Sequence, residues 1–447
     1  MKKTILLILI FTGLIFSQSY KDQFYSFKGD SLINRIETIS GLEISQDSNK
    51  IIMSENTLAG YVIFKPDTSL EPFNKGLPSW NGHSPSGKSS FRVLIRFYKN
   101  GWSVWLTLGY WKNNLWSNYG ATYFNDGKIS IDYAELNSYY RKWQFKVEMK
   151  RTAVTEPSPS IHRLNFFVSD SRTTANLNIN NIVNDKPNEI FIETKHYYQY
   201  SLDPNIGKDI CSPTSVAMAI KSYGLDIDPL QFARDNEDRY WGMFGIWPRA
   251  VQNAYEHGLI GEVTRYRTWS EAYNVLKNGG RVVMSVSRPL YKGHLMMLAG
   301  FDNRGNPLVH DPAKSNGYKY LFDKRDLSKS WFNKGGIAYT FYLDSNNTTD
   351  IKCDDILVLN NEDYKFDIYP NPFNPSTNIR VQLNKDEHTE IKVYSLTGEE
   401  LTTLYKGELR KGIYNFNWNA SSYSSGMYLF RVVTENYAKT LKAFLIK

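Results

Sequence analysis

The spacing of apolar residues changes twice along this chain of 447 residues, and these changes limit what it can fold into. Within residues 20–185, apolar and polar residues alternate over short stretches such as 91–97, and turn-forming clusters such as 125–127 separate these stretches. Alternation is typical of strands with one buried face, so we expect an antiparallel β-sandwich over residues 20–185. The other strands predicted there are 61–64, 103–107, 128–132 and 143–149.

Residues 186–345 have a different pattern, in which stretches of helical spacing come before apolar runs of strand length. Helices followed by an antiparallel sheet indicate an α+β domain. A polar stretch, 346–363, has the composition of a linker, and residues 364–447 return to short strands that predict a small β-sandwich. The expected architecture is therefore multidomain, with an α+β domain between two β-sandwiches. Predicted helices are 213–223, 247–257 and 269–277; predicted strands are 281–287, 294–301, 307–310, 337–343, 378–383, 390–394, 412–418, 426–434 and 440–446.

The N-terminus has the pattern of a signal peptide. Lys2 and Lys3 precede an apolar run at 5–16, and small or polar residues follow at 17–19. The run is too short to span about 30 Å of hydrocarbon, so a signal peptide over residues 1–19 is predicted, with a buried N-terminal helix as the alternative. No later segment has 18 consecutive apolar residues, and the remaining chain is expected to be secreted and soluble.

Charge and cysteine content restrict the function classes. The formal net charge is +8 without a basic run that alternates with aromatic residues, so no nucleic-acid partner is expected. No cluster of cysteine and histidine has the spacing of metal ligands, and neither a metal nor another cofactor is implied. The two cysteines are Cys211 and Cys353. A disulfide between them is one interpretation, but Cys353 lies in the polar stretch and Cys211 in the α+β domain, which favours a nucleophilic role for Cys211.

Cys211 stands at the predicted start of a helix. Pro213 suits the first helical turn, and Gly224 suits the residue that ends the helix. Unpaired N–H groups and the positive end of the dipole favour a thiolate at this position. Cys211 is therefore a candidate nucleophile, and a small buried cysteine is the alternative.

His294 and Asp311 are the candidate base and the residue that orients it. His294 opens one predicted strand, and Asp311 ends the next, so a hairpin would bring them together. A carboxylate on the second ring nitrogen fixes the histidine tautomer. His310 points to the opposite face of its strand and is interpreted as structural. Gln199, twelve residues before Cys211, is the candidate oxyanion donor together with the Cys211 N–H.

Together these motifs resemble the papain-like peptidases of cysteine-peptidase family thirty-nine and their secreted relatives, over residues 193–343. The resemblance implies Cys211 as nucleophile, His294 as base, Asp311 as orienting residue and Gln199 in the oxyanion hole, acting on a peptide or protein substrate. Leader-processing members have glycine after the cysteine, where this chain has Ser212, and they carry a transporter, so their substrate is not carried over. Two alternatives stay open: a papain-like amidase or peptidoglycan endopeptidase, and a catalytically idle adhesin.

Four tryptophans in the first region allow two interpretations. Filling of the sandwich core is favoured, and a binding platform for a cell-surface glycan or peptide is the alternative. These residues are Trp80, Trp102, Trp105 and Trp111.

The last 80 residues carry a second resemblance. The segments 369–377, 393–398 and 425–431, followed by a basic last strand, resemble the C-terminal sorting domain of type IX (Por) secretion. The resemblance implies translocation by that machinery to the outside of the cell. A plain β-sandwich binding module is the alternative.

Overall fold

A computed structural model describes most of the chain, and the described residues form two compact units, 21–344 and 364–446. The predicted signal peptide, the predicted linker and Cys353 lie outside the described residues. Within those residues, no helix combines the length and apolar character that crossing a membrane requires. The described ranges are 21–45, 50–112, 115–174, 177–344, 364–383, 386–395, 399–434 and 438–446.

The first region of unit one, residues 21–174, is a single antiparallel network of twelve strands. Its longest strand, β11, pairs with β5, β6, β7 and β10 along its length, so one sheet wraps around a shared core. The strands are β1 Gln23–Lys28, β2 Ile36–Ser40, β3 Leu42–Ile44, β4 Ile51–Met53, β5 Ala59–Phe64, β6 Asp67–His83, β7 Ser89–Tyr98, β8 Leu106–Trp111, β9 Tyr123–Phe124, β10 Gly127–Ser130, β11 Tyr133–Arg151 and β12 Ser160–Ser169; the short helices are α1 Asp30–Ile33 and α2 Ser171–Thr174.

The four tryptophans of this region divide into two pairs. Trp80 and Trp111 are at most 1% exposed, which confirms the core interpretation for both. Trp102 and Trp105 are partly exposed, and each ring lies 4.4 Å from the Arg96 guanidinium. Residues 103–105 are not part of a strand, and β8 begins at Leu106, so the prediction of a strand from 103 was wrong.

The second region of unit one, residues 177–344, packs helices around a seven-stranded antiparallel sheet. Its path runs β14, β19, β15, β16, β17, β18, and β13 pairs with β16. The helices are α3 Ile179–Asn184, α4 Gln199–Leu202, α5 Cys211–Lys221, α6 Pro229–Asp235, α7 Trp247–Glu256, α8 Trp269–Lys277 and α9 Lys324–Phe332; the strands are β13 Ile190–Phe191, β14 Leu259–Arg265, β15 Arg281–Val286, β16 His294–Phe301, β17 Pro307–His310, β18 Tyr320–Leu321 and β19 Ile337–Leu343.

The two regions of unit one share buried surface. Leu77 and Phe167 of the first region belong to the same apolar core as α5 and α7. The Gln252 amide on α7 accepts the Gly82 N–H at 2.8 Å and donates to the Gly82 carbonyl, so it bonds to β6 as a neighbouring strand would. Trp111 Nε1 donates to Glu256 at 2.7 Å. The first region therefore forms part of the support for α7.

Unit two consists of a three-stranded sheet, β20-β21-β24, and a four-stranded sheet, β23-β22-β25-β26. Both sheets contribute to one core that includes Ile379, Val393, Trp418 and Phe430. Its strands are β20 Tyr364–Tyr369, β21 Ser376–Leu383, β22 Glu387–Tyr394, β23 Glu400–Leu409, β24 Gly412–Asn419, β25 Gly426–Thr434 and β26 Ala438–Leu445.

Candidate active site

The helix α5 places Cys211 at its N-terminus, as the sequence predicts. Residues 212–220 of this helix are buried, and Gly224 adopts a φ of +80° just after the helix ends. Ser215 Oγ donates to the Leu295 carbonyl at 3.0 Å and fixes the helix against β16. Cys211 itself is half-buried, so the thiol is held on a rigid element at the edge of the buried helix face.

The next element of the site is the β16–β17 hairpin, which brings His294 and Asp311 together. His294 begins β16, and Asp311 follows the last residue of β17. His294 Nε2 lies 2.8 Å from Asp311 Oδ1. Because Nε2 faces the carboxylate, Nδ1 is the ring nitrogen left to interact with Cys211.

The environment of His294 favours the charged imidazolium. Burial alone would lower its pKa, but the hydrogen bonds and charges of Asp311 and Cys211 outweigh this effect and raise the pKa to about 9. The pKa of Asp311 is lowered: burial opposes ionisation, while the bonds from His294, Tyr291 and the Ala313 N–H favour the carboxylate. The pair therefore behaves as an ion pair at neutral pH.

The pKa of the Cys211 thiol shifts in the direction opposite to that of His294. Burial is the largest influence and opposes ionisation. The hydrogen bond and the charge of His294, with the backbone N–H groups of Leu295 and Ser212, reverse this effect, and the pKa of Cys211 is lowered overall. A lowered thiol pKa beside a raised imidazole pKa is the pattern of a thiolate–imidazolium pair.

Tyr291 is a member of this cluster that sequence reasoning missed. Its hydroxyl donates to Asp311 Oδ2, and its ring centroid lies 4.2 Å from that of His294. Asp311 Oδ1 also accepts the Ala313 N–H at 2.9 Å. These bonds fix the carboxylate from both sides. A tyrosine three residues before the histidine was the available signal, but a loop position gives no facing direction.

Gln199 lies beside the turn that leads to Cys211. Its backbone N–H donates to the Pro312 carbonyl at 2.8 Å, next to Asp311. Its amide Nε2 donates to the Gly207 carbonyl at 2.7 Å, four residues before Cys211, and the side chain is 1% exposed. The amide oxygen Oε1 is buried and has no hydrogen-bond partner among the described residues.

Two further titratable residues, Lys334 and Asp132, were not predicted; the charges of both Asp132 and Cys211 act on Lys334. Asp132 is in the turn between β10 and β11, where the Trp247 N–H lies 3.5 Å from Asp132 Oδ2. Lys334 Nζ donates to Ser285 Oγ at 2.8 Å and is electrostatically coupled to Cys211 and Asp132. Within the described ranges, no group of three histidine, cysteine, aspartate or glutamate side chains could hold a metal ion.

His310 lies away from this cluster, as the structural interpretation expects. It is fully buried, and its Nε2 donates to the Ile192 carbonyl at 3.1 Å. Burial is the main reason that the pKa of His310 falls to about 4, which leaves the ring neutral.

Comparison with family models identifies two parts of the chain. Residues 191–339 match the model of the Peptidase_C39 like family, and residues 367–447 match the secretion system C-terminal sorting domain. Both regions whose sequence resembles a known family therefore also match a family model. The chain has a peptidase-like domain with a type IX sorting domain, which indicates delivery to the cell surface or the extracellular space.

Comparison with known proteins adds little. None of the curated proteins matches this chain. Among solved structures, PorZ, a surface component of the type IX secretion system of Porphyromonas gingivalis, is 17% identical with a TM-score of 0.14, over 37% of this chain and 23% of PorZ. Dimeric latent PorU of the same organism is 10% identical with a TM-score of 0.17, over 95% of this chain and 34% of PorU. The chain therefore spans well under two thirds of either protein.

Proposed function

We propose that this chain is a secreted cysteine peptidase that hydrolyses peptide bonds through Cys211, His294 and Asp311. One observation carries the proposal: a cysteine at a helix N-terminus interacts with a histidine that is itself bonded to a carboxylate at 2.8 Å. This arrangement lowers the pKa of the thiol and raises that of the imidazole. The match to a peptidase-like family supports the same reaction class.

The reaction begins with attack of the Cys211 thiolate on the carbonyl carbon of the scissile amide. The developing oxyanion would accept hydrogen bonds from the Gln199 amide and the Cys211 N–H. His294 gives its proton to the leaving amine as the C–N bond breaks, which leaves a thioester on Cys211. Water then attacks the thioester and passes a proton to His294, and release of the acid restores the thiolate–imidazolium pair. Asp311 holds the ring and stabilises its charge.

The test of this proposal labels the full-length protein with a peptide-epoxide that reacts with activated thiols, and digests a peptide library in parallel. We expect labelling of Cys211 below pH ~8.5 and library cleavage that is lost in Cys211→Ser. Cys353→Ser is the matched control and should keep both activities. Labelling only above that pH, without cleavage, would favour the idle adhesin instead; cleavage confined to amides of cell-wall peptides would favour the peptidoglycan endopeptidase.

For delivery, we propose that the predicted signal peptide starts export and that unit two is the part recognised by the type IX machinery. Support comes from the sorting-domain match over 367–447. Deletion of 364–447 should leave epoxide labelling intact in cell lysates and abolish appearance of the protein outside the cell. Normal appearance of the truncated protein in the medium would contradict the proposal.

A further inference from the structure

A row of four side chains crosses four neighbouring strands on one face of the first region. Tyr123 of β9 lies opposite Lys128 of β10, which in turn lies opposite Glu135 of β11. On its other side, Glu135 is paired with Lys75 of β6. Directly opposed residues share a face of the sheet and neighbouring strands are about 4.8 Å apart, so these four residues, the cross-strand row, extend over roughly 15 Å.

The cross-strand row lines a surface cavity of about 360 Å³. Binding sites for small molecules occupy roughly 300–1,000 Å³, so the cavity is large enough for a small ligand or one unit of a chain. Tyr133 lies on the same face of β11, two residues before Glu135, and stacks on Trp247 with ring centroids 6.1 Å apart. The helix α7 therefore covers this face of the sheet at Tyr133, and the face is open to solvent at the cross-strand row.

Tyr123 presents an aromatic ring at one end of the row. It is 75% exposed, whereas the next residue, Phe124, packs against the core of the first region. Within the described ranges, neither a cation nor another aromatic ring stacks on Tyr123. Trp102 and Trp105 differ in this respect, because the Arg96 guanidinium already lies 4.4 Å from each ring. Tyr123 therefore keeps a ring face for a bound group.

The charged side chains of the row include one cation more than they include anions. Lys75 donates to Glu135 Oε1, and Lys128 Nζ lies 3.5 Å from Glu135 Oε2. A single carboxylate thus faces two ammonium groups, and the Lys128 side chain remains 56% exposed. An anionic group bound between Lys128 and Tyr123 would balance the charge of the row.

These groups together match the chemistry of an acidic sugar. A pyranose has an apolar C–H face that stacks on aromatic rings and a rim of hydroxyl groups, and a uronic acid adds one carboxylate. Tyr123 would take the C–H face, Lys128 the carboxylate, and Glu135 the hydroxyl groups. Asn137, exposed at the same cavity, would add an amide that has no side-chain partner in the part of the chain that the structure describes. An acidic side chain of a protein would use Lys128 alone and leave the ring and the amide without contacts.

We propose that the cavity at the cross-strand row binds an acidic polysaccharide that contains uronic acid units. Such a site would hold the protein on glycan at the cell surface or outside the cell, where the sorting domain indicates that the chain is delivered. The inference does not depend on the peptidase function, because none of the residues that form the cavity belongs to the cluster around Cys211.

The experiment measures binding of the full-length protein to immobilised polygalacturonate by biolayer interferometry. Dextran serves as the neutral glycan and poly-glutamate as the polyanion without sugar rings, and we expect saturable binding to polygalacturonate alone. Tyr123→Ala should weaken this binding about 5–30-fold, whereas Tyr123→Phe, which keeps the ring, should stay within about twofold of wild type. Lys128→Gln should weaken it about 2–5-fold and reduce its salt dependence. Lys88→Gln is the matched control, because it removes the same charge from an exposed pair with Glu156 and should leave the affinity unchanged.

Three results would overturn the inference. Equal binding of poly-glutamate would mean that the protein attracts any polyanion, and equal binding of dextran would mean that the sugar carboxylate plays no part. Failure to bind polygalacturonate, or binding that both Tyr123→Ala and Lys128→Gln leave intact, would mean that the cavity is not a site for this ligand. Both side chains are exposed, so each variant should melt within about 2 °C of wild type, which separates lost binding from lost folding.

Discussion

Two histidines on neighbouring strands of the same sheet have opposite electrostatic environments. His294 opens β16 and His310 ends β17, and both are at most 5% exposed. The pKa of His294 is raised to about 9, and that of His310 is lowered to about 4. Burial lowers the pKa of both rings, so the difference comes from the groups that each ring contacts.

The groups around the two rings differ in whether they can carry a charge. His294 faces a carboxylate and a thiol that can ionise. His310 donates to the Ile192 carbonyl and packs against Phe191 and Tyr318, all of them neutral. A buried histidine is thus charged at neutral pH only where ionisable partners outweigh the loss of water. Strand position alone would not separate the two residues.

The largest expected effect is on turnover when His294 is replaced. His294→Ala should lower kcat/KM by roughly 10²–10⁴-fold, because a positioned general acid–base group is lost. His310→Gln, which keeps a donor and an acceptor, should stay within about fivefold of wild type, since no reacting atom depends on it. The measurement is cleavage of the best peptide from the library. Equal losses in both variants would remove the functional distinction between the two histidines.

Asp311→Asn should have a smaller effect, about 10²-fold on kcat, at the low end of what such groups contribute. It should also move the alkaline limb of the pH profile. With Asp311 in place, the pKa of His294 is about 9, so activity falls as pH rises through that value. Without the carboxylate the ring loses its proton at lower pH, and the limb should shift toward acid. An unshifted limb in a folded variant would mean that Asp311 does not set the charge of His294.

At His310 the pKa is lowered instead of raised, so its protonation should reduce the stability of the fold as the pH falls. Its folded pKa, about 4, lies below the unfolded value near ~6.5, so the unfolded chain binds a proton first as pH falls. This loss of stability should begin below pH ~6.5 and reach about 2–3 kcal/mol by pH ~4. His310→Gln should remove that contribution, as measured by urea unfolding at pH 7 and pH 4.5. An identical pH dependence in both proteins would contradict it.

The smallest expected effect concerns Tyr291. Tyr291→Phe removes one hydrogen bond to the Asp311 carboxylate and keeps the ring that packs on His294. We expect a loss of about 3–10-fold in kcat, corresponding to roughly 1 kcal/mol, with little change in KM. Tyr318→Phe, beside His310, is the matched control and should leave kcat unchanged. A purely structural role for Tyr291 would lower the melting temperature without moving the pH profile.

Elements with strong periodicity could be predicted from the sequence almost to the residue. The strands β16, β17, β19 and β25 and the helix α8 begin and end where the apolar pattern places them. Shorter or more polar elements were missed. The helix α6 has a clear start signal in Asp228 and Pro229 but only seven residues, and α9 buries a few apolar side chains between charged ones. Tertiary packing stabilises such helices, and a local pattern does not record it.

The residues of the candidate site also divide into those that the sequence predicts and those that it misses. Cys211, His294 and Asp311 lie at element ends that the pattern defines, so their proximity followed from a hairpin and a helix start. Their catalytic roles stay predictions. Asp132 comes from a turn predicted as the end of a strand, and Lys334 follows a helix that was not predicted. No local motif relates a turn at 131–132 to a cysteine some 80 residues later, because contacts made in the folded chain, through residues such as Lys334, bring them into relation.

The two-bond bridge between Gln252 and Gly82 has a consequence for how such chains diversify. A Cβ at Gly82 would lie 2.5 Å from the Ser160 carbonyl and 2.9 Å from the Phe91 ring, so this position accepts only glycine without rearrangement. Exchange of the first region for an unrelated β-domain would leave the buried Gln252 amide without either bond, at roughly 1–3 kcal/mol for each unpaired group. Recombination that cuts the gene near residue 186 should therefore yield insoluble hybrids, and the two regions are expected to be inherited together.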